Sequence, residues 1–89
     1  RACIAPTHDE AVAELDAFYL TRGIDLAAMP AENADFYRMG VPHGSPDEVA
    51  AHFAELKATG IDGFTISTVN SYVPERVALL GQTLAPIVA

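Results

Sequence analysis

Apolar positions follow two different periods along the chain and define two strand-and-helix units. The first unit, residues 1–23, starts with a short continuous apolar run at 2–5 that ends at Pro6 and predicts a buried strand. Four apolar side chains then recur at helical spacing: Val12, Leu15, Phe18 and Tyr19. The change of period predicts that a strand is followed by an amphipathic helix.

Capping residues mark both ends of this first helix. Thr7 and Glu10 have the spacing of a capping box, in which the hydroxyl accepts the third backbone N–H and the carboxylate accepts the N–H of the cap itself. Gly23 supplies the left-handed conformation that ends a helix, and Ile24 beyond it can pack back on Tyr19. The sequence therefore predicts a helix between Thr7 and Gly23.

The second unit, residues 40–89, repeats this order of signals. Ser45 and Glu48 form another capping box, and Pro46 lies at the first helical position, where its missing N–H has no cost. Val49, Phe53 and Leu56 are predicted to form the buried face of this helix. Gly60 is predicted to end it. Residues 63–69 then alternate as a strand.

A last helix is predicted after the polar turn at 70–72. Pro74 begins it, and Pro86 is expected to bend or end it, because proline inside a helix lacks a donor and clashes with the preceding turn. The positions expected to face the core are Val77, Leu80, Leu84 and Ile87.

Residues 24–39 form a less regular connection between the units. Residues 24–29 fit a short strand or a helical turn, and residues 31–39 fit a short helix. Residues 40–44 fit a loop or a very short strand that ends at Pro42. We therefore treat residues 1–89 as a single segment without a complete domain boundary.

Length and charge exclude several classes of function. Eighty-nine residues allow one domain at most, whereas a complete (β/α)8 barrel takes about 250 residues. The net charge is −7 and the five basic residues are scattered, so nucleic acid and anionic membrane surfaces are not expected as partners. No apolar run approaches the ~18 residues of a membrane span.

The single cysteine and the start of the chain each carry an expectation. Cys3 lies in the apolar run at 2–5 and is expected to be a buried small hydrophobe, and the lack of paired cysteines favours a reducing, cytoplasmic location. The chain begins at Arg1 without a methionine and enters a strand at once. We expect this start to be a cut or processed end.

The second unit contains three consecutive motifs: Gly-Ser-Pro-Asp-Glu-Val-Ala at 44–50, Phe-Ala-Glu-Leu at 53–56 and Gly-Ile-Asp-Gly-Phe at 60–64. In these motifs and their spacing the unit resembles the bacterial-luciferase-like family of flavin-dependent monooxygenases and oxidoreductases. The ending at 80–84, followed by Pro86, is similar to the closing helix of that family. The resemblance covers residues 40–89 well and residues 1–39 loosely.

This resemblance implies a fold, a chemistry and partners. The implied fold is the C-terminal part of a (β/α)8 TIM-type barrel, an α/β segment that is incomplete on its own. The implied chemistry is oxygenation or hydride transfer on a small organic substrate with reduced FMN or a deazaflavin. The implied partner is the remainder of the barrel or another copy of the chain. Catalytic residues stay unknown, because most flavin contacts of the family come from earlier strands.

Helix ends in the two units also favour consecutive barrel units. Gly-Ile-Asp follows both capped helices, at 23–25 and at 60–62. A repeated helix, glycine stop and strand entry is typical of a parallel barrel. Because barrel enzymes bind ligands at the carboxyl ends of their strands, pocket-lining or cofactor-binding side chains are expected at these ends. They are His43, Ser45, Thr68, Asn70 and Ser71.

Each candidate also has a simpler interpretation. His43 precedes a helix N-terminus that attracts anions, which favours a contact with a phosphate or a substrate oxygen. The simpler interpretation is an exposed loop histidine. Asn70 and Ser71 are also ordinary turn residues. His8 follows Pro6-Thr7 at another strand end and is interpreted as structural or solvated, and His52 as a partly buried packing residue. The histidines and Cys3 lack metal-ligand spacing, so no metal site is expected.

Two other functions remain open. One is a stand-alone small α/β module that dimerises or binds a partner through its apolar surface, without catalysis. The other is a segment of a different TIM-barrel enzyme, such as an aldolase or an isomerase, because the Gly-Ile-Asp-Gly turn at 60–63 recurs in many barrels.

Overall fold

The computed structural model describes residues 2–60, 68–69 and 73–88 of this mixed, mostly helical α/β chain. It has two short strands, β1 (Cys3–Ile4) and β2 (His43–Gly44). Its helices are α1 (His8–Leu20), α2 (Ala31–Met39), α3 (Pro46–Ala58) and α4 (Pro74–Val88), with a 3-10 turn at Leu26–Ala28. The α/β class predicted from the sequence is therefore confirmed.

Strand β1 lies in the middle of a small parallel sheet. On one edge it pairs with β2, with Cys3 opposite His43 and Ile4 opposite Gly44. On the other edge Ala2 pairs in parallel with Thr68. Alternate residues of a strand direct their backbone groups to opposite edges, which is why Cys3 and Ala2 bond to different neighbours.

Both faces of β1 are covered by helices. Ala2 and Ile4 face α3 and α4, where they pack with Val49, Phe53, Leu80 and Leu84. Cys3 faces the opposite side and packs with Leu15 of α1 and with Val69. As a result, residues 2–5 have no exposed surface.

This arrangement bears on the predicted barrel. In a (β/α)8 barrel, strands are neighbours in chain order and helices cover only the outer face. Here the first strand of the chain lies between β2 and Thr68, and helices lie on both of its faces. The barrel itself stays a prediction.

The start and stop of α1 are confirmed by the hydroxyl half of the predicted capping box and by the glycine stop. Thr7 Oγ1 accepts the backbone N–H of Glu10 at 3.2 Å. Gly23 has a φ of 81°, and the N–H of Ile24 donates to the carbonyl of Tyr19 at 3.0 Å. That last bond is the one that closes a Schellman stop.

Helix α3 begins as the sequence predicts. The N–H of Ser45 donates to Glu48 Oε1 at 3.0 Å, which is the carboxylate half of the capping box, and Pro46 is the first helical residue. Gly60, beyond the helix, has a φ of 97°. The expected contact of Ile61 with this helix lies outside the described residues.

The connection is helical rather than extended. Residues 26–28 form a 3-10 turn, begun by Asp25, whose Oδ1 accepts the N–H of Ala27 at 3.1 Å. The predicted short helix is confirmed as α2. The alternative of a strand ending at Pro42 is wrong, because the strand pairing starts one residue later, at His43. Proline has no N–H to donate to a ladder, whereas its carbonyl accepts the N–H of Cys3 at 2.8 Å.

Helix α4 begins at Pro74 as the sequence predicts, but it differs from the prediction at Val77 and in not ending at Pro86. Leu80 and Leu84 are buried as expected, but Val77 is 47% exposed. The packing of α4 against the core begins near Leu79, so the first turns are beyond its reach. The helix also continues through Pro86 to Val88, so Pro86 does not end it.

The predicted strand at 63–69 is described only in part. Thr68 and Val69 are present, and the N–H of Val69 donates to the carbonyl of Ala2 at 3.0 Å. Residues 63–67 and the polar turn at 70–72 lie outside the described residues.

Candidate functional site

A cavity of about 590 Å³ opens beside β2, between the first turns of α1 and the last turns of α2. Helix α1 starts just after β1, which places its first polar side chains at the carboxyl end of that strand. The lining residues are His8, Asp9, Val12, Asp35, Arg38, Met39 and His43. The cavity therefore lies at the strand ends where the sequence predicted ligand contacts.

His8 connects the first turns of α1 and α3. Its Nδ1 lies 3.0 Å from Oε2 and 3.1 Å from Oε1 of Glu48. An ionised carboxylate only accepts, so Nδ1 carries the hydrogen and a neutral His8 ring has its unprotonated nitrogen at Nε2. The N–H of Ser45 lowers the pKa of Glu48, with a further contribution from His8.

Gly44 allows Glu48 to reach this position. Its φ is 139°, and a Cβ built on it would lie 2.7 Å from Glu48 Oε1 and 2.9 Å from Glu48 Cβ. Any side chain at residue 44 would thus collide with the carboxylate that caps α3 and holds His8. Glycine is required here by both the conformation and the space.

His43 is oriented by its own strand entry. Its Nδ1 lies 2.8 Å from the carbonyl oxygen of Val41, and because a carbonyl only accepts, Nδ1 is again the donor. A neutral His43 therefore also has its unprotonated nitrogen at Nε2. The rings of His43 and His8 are 5.9 Å apart between centroids, with an angle of 40° between their planes.

Arg38 lines the cavity with its charge compensated. Its Nε and Nη2 donate to the two carboxylate oxygens of Asp16 at 2.9 and 2.8 Å, and its Nη1 donates to Asp35 Oδ1 at 3.3 Å. The hydrogen bonds to Asp16 raise the pKa of Arg38 further. This pair also fixes the C-terminal half of α2 against α1.

The five residues expected at the strand ends have different positions. His43 lines the cavity. Ser45 is the half-buried cap of α3, and Thr68 is buried in the sheet beside Ala2, so neither is among the lining residues. Asn70 and Ser71 lie outside the described residues.

Sequence reasoning gave too little weight to His8 and did not find Arg38. His8 comes directly after the cap of α1, Thr7, and His43 comes shortly before the cap of α3, Ser45. Both histidines therefore lie where a strand passes into a helix, and this was the signal available in the sequence. Arg38 reaches the cavity only because α2 lies against α1, which no local pattern reveals. His52, expected to be partly buried, is exposed, with its ring 5.2 Å from that of Phe53.

Cys3 is the buried small hydrophobe that the sequence predicts. Its side chain has no exposed surface, and its Sγ donates to the carbonyl of Ala11 at 3.4 Å. Burial, followed by the nearby carboxylate of Glu14, raises the pKa of the thiol to about 12. The thiol is therefore protonated at neutral pH and is not a nucleophile in the folded chain.

The described residues contain neither a metal-binding cluster nor a membrane-spanning helix. Within residues 2–60, 68–69 and 73–88, no three His, Cys, Asp or Glu side chains are grouped as a metal site would need. Over the same ranges, every helix is too short or too polar to cross a bilayer.

Comparison of this chain with protein-family models, curated proteins and solved structures finds no match.

Proposed function

We propose that this chain is the C-terminal segment of a luciferase-like flavin-dependent monooxygenase or oxidoreductase that acts on a small organic substrate. The observation that carries the proposal is the start of α3. The residues of the family-like motif at 44–50 form a capped helix directly after a parallel strand, beside the cavity.

Several residues of this stretch have a physical task in the chain. Gly44 leaves room for the carboxylate of Glu48, and Glu48 accepts the N–H of Ser45 and holds His8. Val49 and Phe53 anchor the helix in the core. These tasks support a strand-to-helix connection built to present side chains at a ligand site.

In the proposed reaction, the substrate binds in this cavity. His43 and His8 lie next to each other in its lining, and Val12 and Met39 add apolar surface. The reduced FMN or deazaflavin would supply the electrons, and the remainder of the barrel would supply most of its contacts. This division of roles follows from the resemblance and assigns no catalytic residue.

The test is to recover the protein with whatever sequence accompanies it. An affinity tag placed after Ala89 at the native locus allows the polypeptide to be purified, and its mass, its bound flavin and its oxygen consumption with a reduced flavin to be measured. We expect a product of barrel length, about 250 residues or more, that binds reduced FMN or deazaflavin. A product of barrel length without flavin affinity would instead favour another TIM-barrel enzyme.

One observation favours a second function, a stand-alone α/β module that binds a partner. Strand β1 is covered on both faces and paired on both edges, so this strand is buried by elements of the same chain. Phe36 is 76% exposed and Met39 81%, which leaves apolar surface for a partner. This module predicts that the 89 residues melt cooperatively without flavin, and a gradual, non-cooperative melt would exclude it.

A further inference from the structure

The polar groups around the cavity are mostly hydrogen-bond acceptors. Asp9 and Asp35 contribute carboxylates, and because the Nδ1 atoms of His8 and His43 donate elsewhere, the neutral form of each ring has its acceptor at Nε2. The described lining contains one permanent cation, Arg38, and its donors are directed to Asp16 and Asp35. A ligand that binds in this cavity therefore has to supply hydrogen-bond donors.

The net charge of the cavity wall also favours a ligand that donates hydrogen bonds over an anion. Arg38 pairs with both Asp16 and Asp35, so one cation faces two carboxylates, and Asp9 adds a further negative charge to the cavity wall. The whole chain carries −7, which attracts cations and repels anions over longer distances. A phosphate or carboxylate ligand would have to approach both aspartates without a free cation among the described lining residues.

The remaining lining is apolar and adaptable. Val12 is half-buried, and Met39, with 81% of its surface exposed, presents a flexible thioether side chain. The volume of about 590 Å³ lies within the range of small-molecule sites. The space suits a compact apolar body joined to a donor group.

From these observations we infer that the cavity between α1, α2 and β2 binds a small organic ammonium ion with an apolar body. The ammonium group donates to the Asp9 carboxylate and to the histidine Nε2 atoms, and the apolar body packs on Val12 and Met39. This inference depends on the cavity alone, and it holds for either function proposed above.

The test compares three probes that share one ring: benzylamine, benzyl alcohol and benzoate. The full protein, labelled with ¹³C at the methionine methyl groups, is titrated at pH 7.5, and the Met39 signal is assigned with Met39→Leu. We expect saturable shifts of the Met39 signal with benzylamine, about tenfold weaker binding of benzyl alcohol and no binding of benzoate. Benzoate binding as tight as benzylamine, or no saturable shift with benzylamine, would overturn the inference.

A pair of matched variants separates the cavity from the overall charge. Asp9→Asn and Asp47→Asn each remove one exposed carboxylate from the first turn of a helix, but only Asp9 lines the cavity. We expect Asp9→Asn to weaken benzylamine binding by about three- to tenfold and Asp47→Asn to leave it within about twofold. Equal losses in the two variants would show that net charge attracts the amine, and the site would be rejected. Tyr19 and Tyr37 ring signals report in both variants that α1 and α2 remain packed.

Discussion

The two faces of β1 are packed by different kinds of side chain. Among the described residues, the buried cluster on the face toward α3 and α4 consists of aliphatic and aromatic groups around Ile4, Val49 and Phe53. The face toward α1 has a smaller apolar centre at Cys3 and Leu15, and α2 is attached to it through polar contacts. The first face has the character of a structural core, while the second face leaves space for a cavity.

The polar contacts of the second face explain that space. Arg38 holds α2 through Asp16, and the hydroxyl of Tyr19 donates to the carbonyl of Tyr37 at 2.9 Å. The separation of two packed helices depends on the side chains at their contact, and here the long side chains of Arg38 and Tyr19 connect α1 and α2. A face joined in this way can keep a cavity of about 590 Å³ open without losing its main attachments.

The largest effect is expected where the apolar face is opened. Phe53 is 5% exposed and packs with Ile4 and Leu80, so Phe53→Ala is expected to cost about 3–5 kcal/mol of unfolding free energy. Phe36→Ala, at a side chain that is 76% exposed, is expected to cost less than about 0.5 kcal/mol. Urea denaturation followed by circular dichroism measures both.

The milder Phe53→Leu keeps this prediction testable if Phe53→Ala does not fold. Because it conserves most of the volume, it is expected to cost about 1 kcal/mol. Similar losses for Phe53→Ala and Phe36→Ala would show that the α3 and α4 face is not the main core, and the contrast between the two faces would be wrong.

A second prediction concerns the strand-to-helix connection at Gly44. Gly44→Ala places a methyl group 2.7 Å from Glu48 Oε1 at a φ of 139°, so it is expected to cost about 1–3 kcal/mol and to displace His8. Gly81→Ala is the matched control: it lies in α4 with nothing within 4 Å and is expected to stabilise the chain by about 0.5–1 kcal/mol. Thermal melts of the two variants give the comparison, and a Gly44→Ala protein as stable as Gly81→Ala would contradict it.

Local signals predicted the helices well and the cavity poorly. The caps at Thr7 and Ser45 and the glycine stop at Gly23 depend on residues a few positions apart, so the sequence contains the whole interaction. The same holds for the buried positions Leu15 and Phe53, since periodicity marks one face of a helix.

Contacts between distant elements were the part that local patterns could not supply. The Arg38–Asp16 pair spans 22 positions and the His8–Glu48 contact spans 40. Val77 is an example of a local pattern that predicted burial wrongly. Its position in the helical period matches that of the core residues, but its turn lies beyond the packed part of α4. The face of a helix on which a residue lies follows from the neighbouring sequence, whereas the burial of that residue depends on the tertiary packing.

A third prediction tests the polar attachment of α2. Arg38→Gln and Asp16→Asn, with the double variant, form a double-mutant cycle, and we expect a coupling of about 1 kcal/mol, since the two side chains are only 23% and 33% exposed and the bond is bidentate. Chemical denaturation of the four proteins measures it. A coupling near zero would mean that the tyrosine contacts hold α2, and the cavity would then not depend on this ion pair.

The smallest effect is expected at Glu48, which joins the two faces through His8. The folded chain lowers the pKa of Glu48 below its ordinary value of 4.5, chiefly through the N–H of Ser45, so the ionised carboxylate stabilises the fold. This contribution is complete above the unfolded pKa and is lost as the pH falls through the folded pKa. Glu48→Gln should therefore be slightly less stable than the unmodified chain at pH 7, and the difference should shrink below about pH 4.

Glu55→Gln is the matched control for this pH dependence. Glu55 is exposed on the same helix, α3, away from its N-terminus, and its substitution makes the same change in net charge. Unfolding free energies measured from pH 7 to pH 3 should show the converging difference for Glu48→Gln and a nearly constant one for Glu55→Gln. Parallel curves for the two variants would mean that the contacts of Glu48 with Ser45 and His8 do not stabilise the fold, and the first turns of α1 and α3 would then be positioned by the apolar core alone.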